Sequence, residues 1–224
     1  MTRRLAVYLE VTRKRTFAGA VEWPGWCRSG KTADEALEAL VGYADRYARA
    51  IAHCRLGFER PDGVVDLEVV ERLEGNATTE FGAPGVAPKA DDRPINANEL
   101  RRLTSTLKAS WSAFDQAAAR AVAVTLTKGP RGGGRDLPKM VDHVLGAEEG
   151  YLGALGSRSP RGGGTAAARM AAGRESALEA LAARALGQPI ANPRNTKRPW
   201  SPRYYVRRSA WHALDHAWEI ENRS

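Results

Sequence analysis

The period of the apolar positions changes along the chain. Leu5–Val11 is a run of apolar and β-forming residues, and Phe17–Trp23 is a second one behind the basic turn Arg13-Lys14-Arg15, so the pair predicts a β-hairpin. Trp23-Pro24-Gly25-Trp26 breaks the second strand. Thr32 then stands as a helix N-cap, with Glu35 three residues on completing a capping-box pattern. Behind it Ala36, Leu37, Leu40, Tyr43, Ala44, Tyr47 and Ile51 recur at helical spacing. Val64–Val70 alternates again and predicts one more strand. The order, two or three strands, a helix and a strand, describes a small α+β unit over residues 1–74. That length is near the lower size for a self-sufficient core.

Gly75, Gly82, Pro84, Gly85, Pro88 and Pro94 interrupt every pattern in residues 75–97, which reads as a linker. From residue 98 to 224 the periodicity is helical throughout, and it predicts an all-α four-helix bundle. The first helix is expected from about Asn98 to Thr127, and the second from the N-cap candidate Asp136 to about Leu155. The third runs from about Thr165 to Leu186 and the fourth from about Pro202 to the end. Pro138 and Pro202 fall in first turns, where a missing N–H costs little. The connections are rich in Gly, Pro and Arg.

The net charge of +8 raises the question of nucleic acid, and its placement argues against it. Residues 1–90 balance 13 basic against 13 acidic side chains, whereas residues 91–224 carry 21 against 13. Much of the surplus sits in loops (Lys128, Arg131, Arg135, Arg158, Arg161, Arg194, Lys197, Arg198) without the interleaved aromatics of a base-stacking platform. Two cysteines, Cys27 and Cys54, form no CxxC pair, which fits a reducing compartment. No run has the length of a membrane span, and the apolar stretch behind the basic start stops at Glu10, short of a signal peptide. A cytoplasmic protein with no membrane partner is the expectation.

Three of the four histidines lie in the helical part. His212 and His216 are four apart, so their imidazoles leave one face of one helix. On a helical wheel that face also carries Tyr205, Arg208, Asp215 and Glu219, while Trp211, Leu214 and Trp218 form an apolar face and Ala210, Ala213 and Ala217 a third side. A helix with two packing surfaces is expected to be central, its polar stripe looking inward. His143 lies in the second helix among the small neighbours Gly146, Ala147 and Gly150. Three neutral imidazoles suit a divalent metal and leave a coordination position open. Asp142 and Asp215 are candidate acceptors for the outer ring N–H groups.

The segment Trp200–Glu221, with its Trp-His-Ala-Leu-Asp-His core, resembles the last helix of DinB-like (YfiT-like) metal-binding bundles, and Met140-Val-Asp-His143 resembles that family's second-helix site. The resemblance covers about residues 97–224 and implies His143, His212 and His216 as the metal triad. It further implies zinc or nickel, with iron as another candidate, frequent homodimers, and relatives that transfer low-molecular-weight thiols. Val7–Ala52 resembles the HicB-like fold: Pro24-Gly25-Trp26-Cys27 and Thr32-Ala-Asp-Glu-Ala-Leu37 follow that outline of strand pair, turn and helix. It implies a protein partner for the N-terminal unit. The DNA-binding segment of such antitoxins is replaced here by the helices, which weighs against operator binding.

Gly25-Trp-Cys-Arg-Ser-Gly30-Lys31-Thr32 also satisfies the phosphate-loop pattern G-x-x-x-x-G-K-[ST]. A nucleotide-binding domain needs several parallel strands joined by crossover helices, and a hairpin of this size does not supply them. Cys27 reads as a small buried hydrophobe. The expected function is a metal-dependent enzyme, a thiol S-transferase or a hydrolase acting on a small-molecule substrate. Arg208 and Tyr205 would orient an anion, and Glu219 or Glu149 would move a proton. The alternative is a non-catalytic regulatory protein with a structural metal.

Overall fold

The computed structural model describes residues 4–128, 134–160 and 163–224, so the expected loop cations Arg131 and Arg161 lie outside the described residues. The chain forms two compact units, Met1–Arg93 and Pro94–Ser224.

In the first unit, β1 (Leu5–Val11), β2 (Thr16–Ala20), β3 (Cys27–Gly30) and β4 (Leu67–Glu74) form one sheet in the order β3-β2-β1-β4. The hairpin is present: β1 and β2 pair antiparallel from Val7 opposite Ala20 to Val11 opposite Thr16. The fourth strand pairs parallel to β1 and begins three residues later than its alternation suggested, because Val64–Asp66 turns as a short 3₁₀ helix first. Helix α1 (Ala33–Gly42) starts at Thr32, whose side chain accepts from the Glu35 N–H. The capping box is not closed as expected, since the Glu35 carboxylate takes the N–H of Lys31 instead. The single helix anticipated to Ile51 is broken at Tyr43, and α2 (Ala44–Ile51) follows it.

Val7, Tyr8, Leu9 and Glu10 are all buried. Successive strand side chains face opposite ways, so both faces of the central strand are covered. On one face the rings of Trp26 and Tyr47 stack at 5.9 Å, and the Trp26 indole N–H donates to the Leu40 carbonyl. Residues 75–93, read from the sequence as linker, belong to this unit. Asn76 caps a short helix, α3 (Ala77–Phe81), and the buried Glu10 carboxylate accepts from the Thr79 hydroxyl and from the backbone N–H groups of Gly85 and Val86. A carboxylate buried within a sheet needs such donors, and glycine- and proline-rich backbone supplies them. The phosphate-loop pattern is occupied by strand β3, whose residues Cys27–Gly30 pair with Gly19–Thr16, so its backbone groups belong to the sheet.

The second unit holds α4 (Ala97–Arg120), α5 (Leu137–Leu155), α6 (Ala166–Ala185) and α7 (Pro202–Arg223) around one apolar core. Leu107, Phe114, Met140, Val144, Leu152, Leu181, Val206 and Ile220 are among its members, drawn from all four helices. The N-caps are local: Asp136 accepts from Lys139 N–H, Thr165 from Ala168 and Ser201 from Tyr204. Helix α4 ends seven residues before the expected Thr127. The residues beyond it, Val122, Val124, Thr125 and Thr127, are β-branched, and their stiff side chains lower helix propensity. Val122 stays 77% exposed, so no packing compensates that loss. Among the described residues no helix is long and apolar enough to cross a membrane.

Candidate metal centre

Helices α5 and α7 bring three histidines together. The ring nitrogens of His143, His212 and His216 that can act as ligands all lie within 4.8 Å of one another. His143 Nε2 and His212 Nε2 face each other at 3.2 Å. Two imidazole ligands of a tetrahedral ion, each about 2.0–2.1 Å from it, stand roughly 3.3 Å apart. The pair thus already has ligand spacing, and the His212 and His216 rings are 4.6 Å apart at their centroids. His212 and His216 are buried and His143 half-buried.

Electrostatics keeps two of the three imidazoles in ligand form. Burial holds the His212 imidazole well below the ordinary histidine range, with the charges of His216, Arg208, His143 and Arg135 adding to the effect. His143 is lowered too, by burial first, then by His216 and Arg135, with Glu219 opposing. Neutral imidazoles carry the lone pair a metal needs. His216 Nδ1 meets Glu219 Oε2 at 2.9 Å, which leaves Nε2 as its ligand atom. That hydrogen bond is the main reason the Glu219 carboxyl lies below the usual range. The other Glu219 oxygen accepts from Arg223 Nη1 at 2.7 Å. Arg223 in turn donates to the Thr127 carbonyl through Nε at 2.8 Å and to the Arg135 carbonyl through Nη2 at 2.9 Å.

The remaining site candidates divide. Arg208, one turn before His212, is 8% exposed. Its guanidinium carbon lies 4.7 Å from the Trp211 ring centroid and 5.2 Å from that of Tyr151. Tyr151 itself meets the His212 ring edge-on at 5.6 Å. Tyr205 shares the wheel face but sits about 10 Å, two helical turns, from His212 along the axis. It is 1% exposed within the core, and burial is the first cause of its raised hydroxyl pKa, with the Glu148 and Arg174 charges nearby. Glu149 is engaged by Arg169 at 2.7 Å. Asp142 is exposed on α5 and Asp215 half-buried on α7.

Sequence reasoning missed two contributors. Tyr151 carries no chemical signature of its own, although its eight-residue spacing from His143 puts it near the same face of α5. Arg223 was one cation among many, and its role depends on backbone carbonyls nearly a hundred residues away. Part of the basic surplus is also structural, since Arg203, Arg207, Arg208 and Arg223 are buried in α7 rather than solvated in loops.

Comparison with protein-family models, with curated proteins and with solved structures found no match to this chain.

Proposed function

We propose that the helical unit is a metal-dependent enzyme of the thiol S-transferase or hydrolase type, built as a DinB-like four-helix bundle around His143, His212 and His216. The convergence of these three imidazoles, with Glu219 clamping the outer nitrogen of His216, carries the reading. Among the described residues the cluster offers three ligands and no fourth, the arrangement of catalytic rather than structural sites. A divalent ion held there, zinc or nickel by the family resemblance, would supply a Lewis acid that lowers the pKa of a thiol or water. The chain's own groups supply the rest. Glu219 fixes the His216 tautomer, Arg223 holds Glu219, and Tyr151 and Trp211 shield the Arg208 cation beside His212. The N-terminal unit serves in this reading as a HicB-like module for a protein partner, supported by its strand pair, turn and helix.

Elemental analysis of the untagged protein against His143→Ala tests the reading. About one equivalent of zinc, nickel or iron in the parent and its loss in the variant are expected. Absence of metal from both, even after reconstitution, would overturn it. Metal-loaded protein would then be assayed with low-molecular-weight thiols and electrophiles.

A further inference from the structure

A charged group is left incomplete beside the histidines. Arg208 is more than nine-tenths buried, and its Nη1 is sealed from solvent with no hydrogen-bond partner. A buried guanidinium N–H without an acceptor is costly, and an acceptor on a bound ligand is one way to complete it. Arg208 and His212 both contact the ring of Tyr151, which places the incomplete cation next to the cluster. On α5, Gly150 lies two turns beyond His143 on nearly the same face, and Gly146 lies one turn beyond it. A Cβ built on either glycine would meet nothing within 4 Å, and both residues are exposed. Along that stripe of α5 no side chain stands within 4 Å of either Cβ position. Three imidazole ligands add no negative charge to offset a divalent ion, and the carboxylate that touches the cluster, Glu219, is already shared between His216 and Arg223.

We propose that the open side of the cluster binds a small carboxylate, its anionic end received by Arg208 beside the metal and its body lying along the Gly146–Gly150 strip. This rests on the metal reading above. A carboxylate suits the position because the planar fork of a guanidinium matches its two oxygens, and a single negative charge answers a single buried cation. The substrate class is accordingly a small organic acid.

The test uses the full chain loaded with cobalt(II), whose visible bands report exchange in the coordination sphere, titrated with acetate. Saturable band changes with acetate are expected, and none with acetamide, which has the same shape without the charge. Arg208→Gln is expected to keep cobalt and weaken acetate by about tenfold or more, which corresponds to about 1.4 kcal/mol. Gly146→Phe leaves Arg208 intact and narrows the open side. It is expected to keep cobalt and weaken acetate to a similar degree, and it decides the matter if Arg208→Gln fails to fold. Acetate affinity unchanged in a folded Arg208→Gln or in Gly146→Phe, or acetamide acting like acetate, would overturn the carboxylate site and leave the metal centre standing. Failure of the parent to take up cobalt would overturn both.

Discussion

His216, Glu219 and Arg223 occupy successive turns of α7, and each is useful through the next. Glu219 bridges the two cationic or proton-donating partners, and Arg223 is itself fixed by two carbonyls from the segments flanking α4 and α5. Outer-sphere carboxylates of this kind typically contribute 10–100-fold to metal affinity. Glu219→Gln is thus expected to weaken zinc by about that factor in chelator competition, with the fold retained; unchanged affinity would remove Glu219 from the site. Gly134 has φ +132°, and a Cβ there would stand 2.6 Å from Arg223 Nη2, so this glycine lets the guanidinium close on the backbone. The histidines also set a pH dependence. His143 and His212 are held lower in the folded chain than the usual value of about 6.5, so the unfolded chain binds more protons. Stability of the chelator-stripped protein should fall as pH drops through that value and level off below the lowered folded values. Thermal unfolding between about pH 8 and about pH 5 checks this, and His212→Asn should flatten the slope.

Between elements, one ion-pair network ties three helices. Arg174 on α6 donates to Glu148 on α5 at 2.9 Å and to Asp115 on α4 at 2.8 Å, with its guanidinium over the Trp111 ring. The Arg174 and Glu148 side chains are 11% and 12% exposed, and burial pushes the Glu148 carboxyl up against the pull of Arg174. Removing one partner leaves a buried charge uncompensated. Arg174→Met is therefore expected to cost about 3–5 kcal/mol in chemical denaturation, and the double change with Glu148→Leu to recover much of it. A loss no larger than that of an exposed pair would show that water reaches the network. Helix α5 carries the opposite opportunity. Gly150 meets nothing where its Cβ would stand, so Gly150→Ala should stabilise the helix by about 0.5–1 kcal/mol through backbone entropy alone.

At the scale of the whole chain, each unit has its own core, and the candidate ligands lie in the second alone. Zinc at a hundredfold excess over its dissociation constant should add about 2.7 kcal/mol to the helical unit. Calorimetry is expected to show that transition moving while the transition of the first unit stays; a single transition shifting as one would mean the two unfold together. The parts of this architecture legible in the sequence were those with local causes. A cap acts over three residues, so Thr32 and Asp136 marked their helices, and the hairpin followed from two β-forming runs and a short turn. His212 and His216 were legible as a pair because four residues of helix put two side chains on one face. Where a competing long-range contact decided the outcome, local pattern misled. Residues 75–93 read as linker because glycine and proline break periodicity, yet their free N–H groups are what the buried Glu10 carboxylate required. The strand after Val64 slid by three residues because pairing with β1, and not alternation, sets where a strand begins. The sequence by itself determined the α+β unit, the helices and the chemical identity of the candidate ligands, since those depend on neighbours along the chain. Only the tertiary structure decided that His143 meets His212, that Arg223 rather than a loop cation completes the Glu219 clamp, and that Arg208 is left with a donor to spare. Each of those depends on how helices far apart in sequence pack, and packing is settled by the shared core, not by any one segment's pattern.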